Sequence, residues 1–116
     1  MKLQLQGQTL RLRIDEAELA QLLGGAAVGN RTRWPDGRLE SQQLILGDAH
    51  GWQRHADGWQ VALNGADVRA FAARLPSRDG LELALPVPGG EPLQLLFDVD
   101  VRDSVRQRRG KKEEGA

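Results

Sequence analysis

The sequence predicts an α+β fold, with two ββαββ units forming a curved, largely antiparallel, barrel-like sheet against which two helices pack. Three observations point there. A short hairpin whose second strand runs directly into a capped amphipathic helix occurs twice, over residues 2–23 and 52–75. Each helix is followed by a further pair of alternating segments closed by a Gly/Pro turn. The two copies also align: matching Ile14 to Leu63, an offset of 49, pairs Leu10 with Trp59, Leu12 with Val61, Leu19 with Val68 and Leu22 with Phe71.

Taken in order, residues 2–6 alternate polar and apolar, turn at Gly7-Gln8, and continue through Thr9-Leu10-Arg11-Leu12-Arg13-Ile14. Asp15 is the expected N-cap of the first helix, with Glu18 at N3 closing a capping box and Ile14 and Leu19 forming a hydrophobic staple. Leu19, Leu22 and Leu23 give this helix its apolar face, and Gly24-Gly25 ends it. Strands at 27–34 and 38–46 flank a Pro35-Asp36-Gly37 turn. The second unit repeats the plan. Strands at 52–55 and 59–63 flank Asp57-Gly58, Asn64 caps a helix with Asp67 at N3, and Leu63 and Val68 form the staple. Val68, Phe71, Ala72 and Leu75 line that helix, Pro76 stops it, and strands at 80–85 and 93–101 flank Pro88-Gly89-Gly90.

A chain of 116 residues reads as a single α+β domain over 1–101, with pseudo-repeat units at about 1–48 and 49–101. Residues 102–116 nearly lack apolar side chains and read as a disordered charged tail. With no cysteine there is neither disulfide nor thiolate metal site, and a cytoplasmic setting is expected. No apolar run has the length of a membrane span, so no membrane association is expected. Arginine far outnumbers lysine, and Ala, Gly and Leu abound, the composition of a GC-rich bacterial genome. Sixteen cations balance sixteen anions and aromatics are only 4%, which argues against nucleic acid as a partner.

The run Lys2-Leu3-Gln4-Leu5-Gln6-Gly7-Gln8-Thr9-Leu10-Arg11-Leu12-Arg13-Ile14, with Glu18-Leu19 behind it, resembles a family of small bacterial proteins. Its members open with a K-x-x-x-x-G-N-S-[IL]-R-L-R-L strand pair and an E-V helix. The family is a domain of unknown function, so the resemblance implies a fold and no activity. Gln8 and Thr9 replace its usual Asn and Ser, and Asp98-Val99-Asp100-Val101-Arg102-Asp103 lacks the cysteine of its closing E-K-D-F-x-C-L strand.

Candidate chemistry is sparse. Arg11 and Arg13 alternate with Leu10, Leu12 and Ile14, and Arg31 and Arg33 form a second i, i+2 pair; on a curled sheet these four would converge on a phosphate or carboxylate. Otherwise they are a solvated outer face. The first strand lacks the E-x-E-x-K glutamates of triphosphate-tunnel enzymes, which counts against metal-dependent phosphate chemistry of that type. His50 and His55, with Asp48 and Asp57, have no recognised ligand spacing and read as loop residues, and Asp98, Asp100 and Asp103 are too few to cage a cation. The basic run between Arg106 and Lys112 reads as a solubilising terminus. Trp59 belongs to the inward row, whereas Trp34 and Trp52 lie near loops and are the candidate partner surface.

The function expected is therefore a small, soluble, non-catalytic binding module, without metal or cofactor, that contacts a protein or a small anionic ligand. The alternative is a binder of, or enzyme acting on, an anionic small molecule through those arginines, with Asp98 or His55 as acid or base.

Overall fold

The computed structural model describes residues 1–101; the expected charged tail, with Asp103 and the basic run in it, lies outside the described residues. Eight strands and two helices follow the expected order: β1 (Lys2–Gln6), β2 (Thr9–Asp15), α1 (Glu16–Leu23), β3 (Val28–Arg33), β4 (Leu39–Gly47), β5 (Gly51–His55), β6 (Gly58–Asn64), α2 (Gly65–Ala73), β7 (Leu81–Leu85) and β8 (Leu93–Asp100). Local chemistry explains the boundaries. The Asp15 carboxylate accepts from the Glu18 amide at 2.7 Å while the Glu18 side chain takes the Asp15 N–H at 3.2 Å, so the capping box is present. Gly25, at φ 96°, ends α1: its N–H bonds to the Leu22 carbonyl, and the Ala26 N–H reaches Gln21, a Schellman pair. Asn64 caps α2 by accepting from the Asp67 amide at 3.0 Å.

The expected barrel-like sheet is corrected in two respects. There are two four-stranded sheets, ordered β1-β2-β8-β7 and β3-β4-β6-β5, rather than one curled sheet. Both are mixed: the four hairpin pairs are antiparallel, but β2 runs parallel to β8 and β4 parallel to β6. The hairpins form as expected, and each then finds its neighbour from the other unit. The first and last hairpins join in one sheet and the two middle hairpins in the other. Strands at the sheet edges carry polar inner positions such as Arg54, which closure into a barrel would have to desolvate.

The two sheets are related by a pseudo-two-fold, and its registers agree residue by residue. Leu12 lies opposite Phe97 in the first sheet, and Val61 opposite Leu44 in the second. The 49-residue offset thus relates β1-β2-α1 to β5-β6-α2, and an offset of 53 relates β3-β4 to β7-β8. Backbone bonds outside the ladders obey it too: Gln94 N–H donates to Gln8 at 2.8 Å, and Ser41 N–H to Asp57 at 2.7 Å. So do the helix starts. Glu18 receives the Met1 ammonium at 2.7 Å, and Asp67, its counterpart, receives the ring of His50, the counterpart of Met1, at 3.0 Å.

Inner faces of both sheets and one face of each helix form one core. Leu10, Leu12 and Ile14 of β2 meet Leu95, Phe97 and Val99 of β8; Leu44, Val61 and Leu63 answer from the second sheet, and Leu19, Leu22, Val68 and Phe71 from the helices. Phe71 and Phe97 stack edge-to-face with centroids 5.8 Å apart. Gly58 is required where β6 begins to pair with β4, because a Cβ there would enter the Ser41 backbone. No helix is long and apolar enough to cross a membrane among the described residues.

Candidate functional site

Strand alternation decides where each candidate side chain points. In the second sheet Val28 and Leu44 are paired and buried, so Asn30, Thr32, Glu40 and Gln42 share their inner face, and Trp34 continues that row just beyond β3. From the other hairpin Val61 faces inward, which puts Trp59, Trp52 and Arg54 on the same face, since Trp52 pairs with Val61 and Arg54 with Trp59. All three tryptophans of the chain therefore lie on one face of one sheet, Trp59 against the core, Trp52 beside Val61 on the edge strand β5, and Trp34 just past the end of β3.

Their surroundings are ordered by polar contacts. The Trp34 indole N–H donates to the Glu40 carboxylate at 3.2 Å, and the Gln42 amide donates to the same oxygen at 3.3 Å. The Arg54 guanidinium lies over the Trp52 ring, 5.0 Å from its centroid. Trp34 is 48% exposed and Trp52 40%, against 0% for Val61 in the same row, so the rings cover little core. Gln42 is 5% exposed, and its buried side-chain oxygen accepts no hydrogen bond from the protein. Trp59 is half-buried against the core, as its place in the inward row implies.

The four arginines are not brought together. Arg11 and Arg13 point outward from the first sheet, where Asp98 holds Arg11 at 2.7 Å and Arg13 at 3.9 Å. Arg31 and Arg33 point outward from the second sheet, Arg33 donating to the Gly37 carbonyl at 2.9 Å. What remains of the expected row is a cleft of about 260 Å³ lined by Lys2, Leu3, Gln4, Arg11 and Arg13.

The histidines also separate. The Asn64 N–H donates to His50 Nδ1 at 3.0 Å, so the neutral ring carries its proton on Nε2 and donates it to Asp67. His50 thereby ties the loop after β4 to the start of α2, helped by the Asn64 amide donating to the Asp48 carbonyl at 3.0 Å. His55 is exposed on the outer face of β5, and Asp57 lies in the turn beyond it. Among the described residues no three His, Cys, Asp or Glu side chains group as metal ligands.

Glu40, Gln42 and Arg54 escaped the sequence reading. Their signal was the two offsets, 53 setting Glu40 against Leu93 and Gln42 against Leu95, and 49 setting Arg54 against Leu5, polar residues where the other unit is apolar. No protein-family model matches the chain, and no curated protein is found to match it.

Proposed function

We propose that this chain is a non-catalytic protein-binding module whose partner docks on the tryptophan face of the second sheet. The observation that carries the reading is the shared exposure of Trp34 and Trp52 on one face, bordered by Arg54 and Glu40. Tryptophan and arginine are among the residue types that dominate interface energies, tryptophan because it buries a large area with two torsions to freeze and arginine because its planar guanidinium donates several bonds and stacks on rings. Incorporating a photo-reactive side chain at position 34, at 52, or at 53 on the opposite face of β5 tests this in cells. Adducts of one discrete mass from 34 and 52 but not from 53 are expected; equal labelling from all three positions defeats the reading.

A second reading has its own observation: Lys2, Arg11 and Arg13 line one cleft against a single carboxylate, Asp98. Here a small phosphate or carboxylate binds between Lys2 and Arg13. At ~100 times its Kd such an anion stabilises the fold by about 2.7 kcal/mol, read directly as a rise in Tm that the Arg13→Ala variant loses. A Tm unchanged by phosphates, nucleotides and carboxylates removes this reading and leaves the first standing.

A further inference from the structure

The four sheet edges are not equally guarded. A free edge strand offers unpaired N–H and C=O groups to any other strand, and proteins blunt it with charges, prolines or inward-pointing ionic side chains. β3 carries exposed Arg31 and Arg33, and β7 carries Glu82 and is followed by Pro86 and Pro88. β5 has Arg54 on its inner row. β1 is different: all five residues are exposed, its only charge is Lys2 at the very start, and its inner row is Leu3 and Leu5, 36% and 71% exposed.

Its backbone polarity follows from the ladder. The Gln8 carbonyl accepts from Gln94, so the even-numbered residues of β2 face β8, and the odd-numbered Thr9, Arg11 and Arg13 bond to Gln6, Gln4 and Lys2. The N–H and C=O groups of Leu3 and Leu5 are then the ones at the open edge. Two copies of Lys2–Gln6 placed antiparallel about a two-fold through Gln4 satisfy all of them: Leu3 of each copy exchanges both bonds with Leu5 of the other. Gln4 meets Gln4, and the two exposed leucines of each chain come to lie side by side on one face. Charges are compatible as well. Lys2 of each copy is carried opposite Gln6 of the other, so no like charges face each other across the pairing.

We propose that a second copy of this chain pairs with β1 across this two-fold, extending the first sheet from four strands to eight. The surface is distinct from the tryptophan face, so the two proposals stand or fall separately.

The chain has no cysteine, which makes the register directly testable. Opposed residues of a non-hydrogen-bonded antiparallel pair have Cα atoms about 4.5 Å apart, within disulfide reach. Gln4→Cys should therefore cross-link to itself under mild oxidation. Gln6→Cys, equally exposed on the same strand face, should not, since the two copies of residue 6 lie at opposite ends of the pairing. In parallel, sedimentation equilibrium of the full chain between about 1 µM and 1 mM, the range for a contact of this modest size, should show mass rising toward that of two chains. Leu5→Lys, a change at a solvent-exposed site that leaves the core intact, should hold the mass at one chain, and Trp52→Ala should not. A wild-type chain that stays at single mass throughout, cross-linking equal for the two cysteine variants, or a dimer indifferent to Leu5→Lys each overturns the proposal; binding of β1 to another protein's strand would appear as the first of these.

Discussion

Replacing Gln42 with leucine should stabilise the fold. Position 42 is the pseudo-two-fold counterpart of 95, which is a leucine 1% exposed in the same kind of environment. Gln42 itself is 5% exposed and leaves its oxygen unpaired. A buried acceptor without a partner costs about 1–3 kcal/mol. Against this, the variant gives up one hydrogen bond, from the Gln42 amide to Glu40, at a long 3.3 Å. Such a bond contributes roughly 0.5–1 kcal/mol. Glu40 keeps the Trp34 indole and is half-exposed, so it is not stranded. The net expectation is about 1 kcal/mol of added stability, a rise in Tm of about 4–8 °C for a domain of this size. Urea melts followed by circular dichroism measure it, and the reciprocal Leu95→Gln should lose about 1–3 kcal/mol by burying an amide among leucines. If Gln42→Leu instead lowers stability by 1 kcal/mol or more, the oxygen is satisfied in solution and the reasoning from an unpaired acceptor is refuted.

Three further substitutions probe the framework. Phe97→Ala removes a fully buried ring stacked on Phe71 and should cost about 3–5 kcal/mol in the same melts. His50→Ala breaks the bonds to Asn64 and Asp67 and should cost about 1–2 kcal/mol, with amide exchange at the start of α2 accelerating first. Gly58→Ala drives a methyl into the Ser41 backbone and should cost about 1–3 kcal/mol, whereas alanine at Gly37, in a turn with open space, is limited to the strain of its positive φ.

Local features of the fold were legible because they are written within a few residues. The Asp15 box, the Asn64 cap and the eight strands all depend on neighbours in sequence, and each is present. The joining of hairpins was not legible. β2 and β8 alternate in the same way whether they meet parallel or antiparallel, and the choice rests on contacts between residues as distant as Leu12 and Phe97. The arginine row failed for the same reason: Arg11 and Arg31 both point away from the core, and only the partition into two sheets puts them on separate surfaces. Trp34 and Trp52 were correctly placed near loops, where little core reaches them. Glu40 and Gln42 looked like ordinary strand polarity, because alternation alone assigns them the same face as Leu44 without showing what each packs against.

The breaking of the pseudo-two-fold separates the residues that stability needs from those that the proposed function uses. At the helix-covered end the two halves match in kind: Leu12 with Val61, Ile14 with Leu63, Leu22 with Phe71, Leu44 with Phe97. At other inner-face positions they diverge, Leu3 against Trp52, Leu5 against Arg54, Leu10 against Trp59, Leu93 against Glu40, Leu95 against Gln42, Val87 against Trp34. In every one of these pairs the first sheet holds an aliphatic residue and the second an aromatic or polar one. The first sheet demonstrates that the architecture tolerates aliphatic side chains there, so folding does not call for the tryptophans, the glutamate or the arginine. On the function proposed above those residues supply directional contacts to a partner, and the leucine edge of the proposed dimer supplies a non-directional, self-complementary one. A dimer joined through β1 would carry two tryptophan faces on one rigid sheet assembly, and a partner with two matching sites would gain affinity from the second contact without any new chemistry.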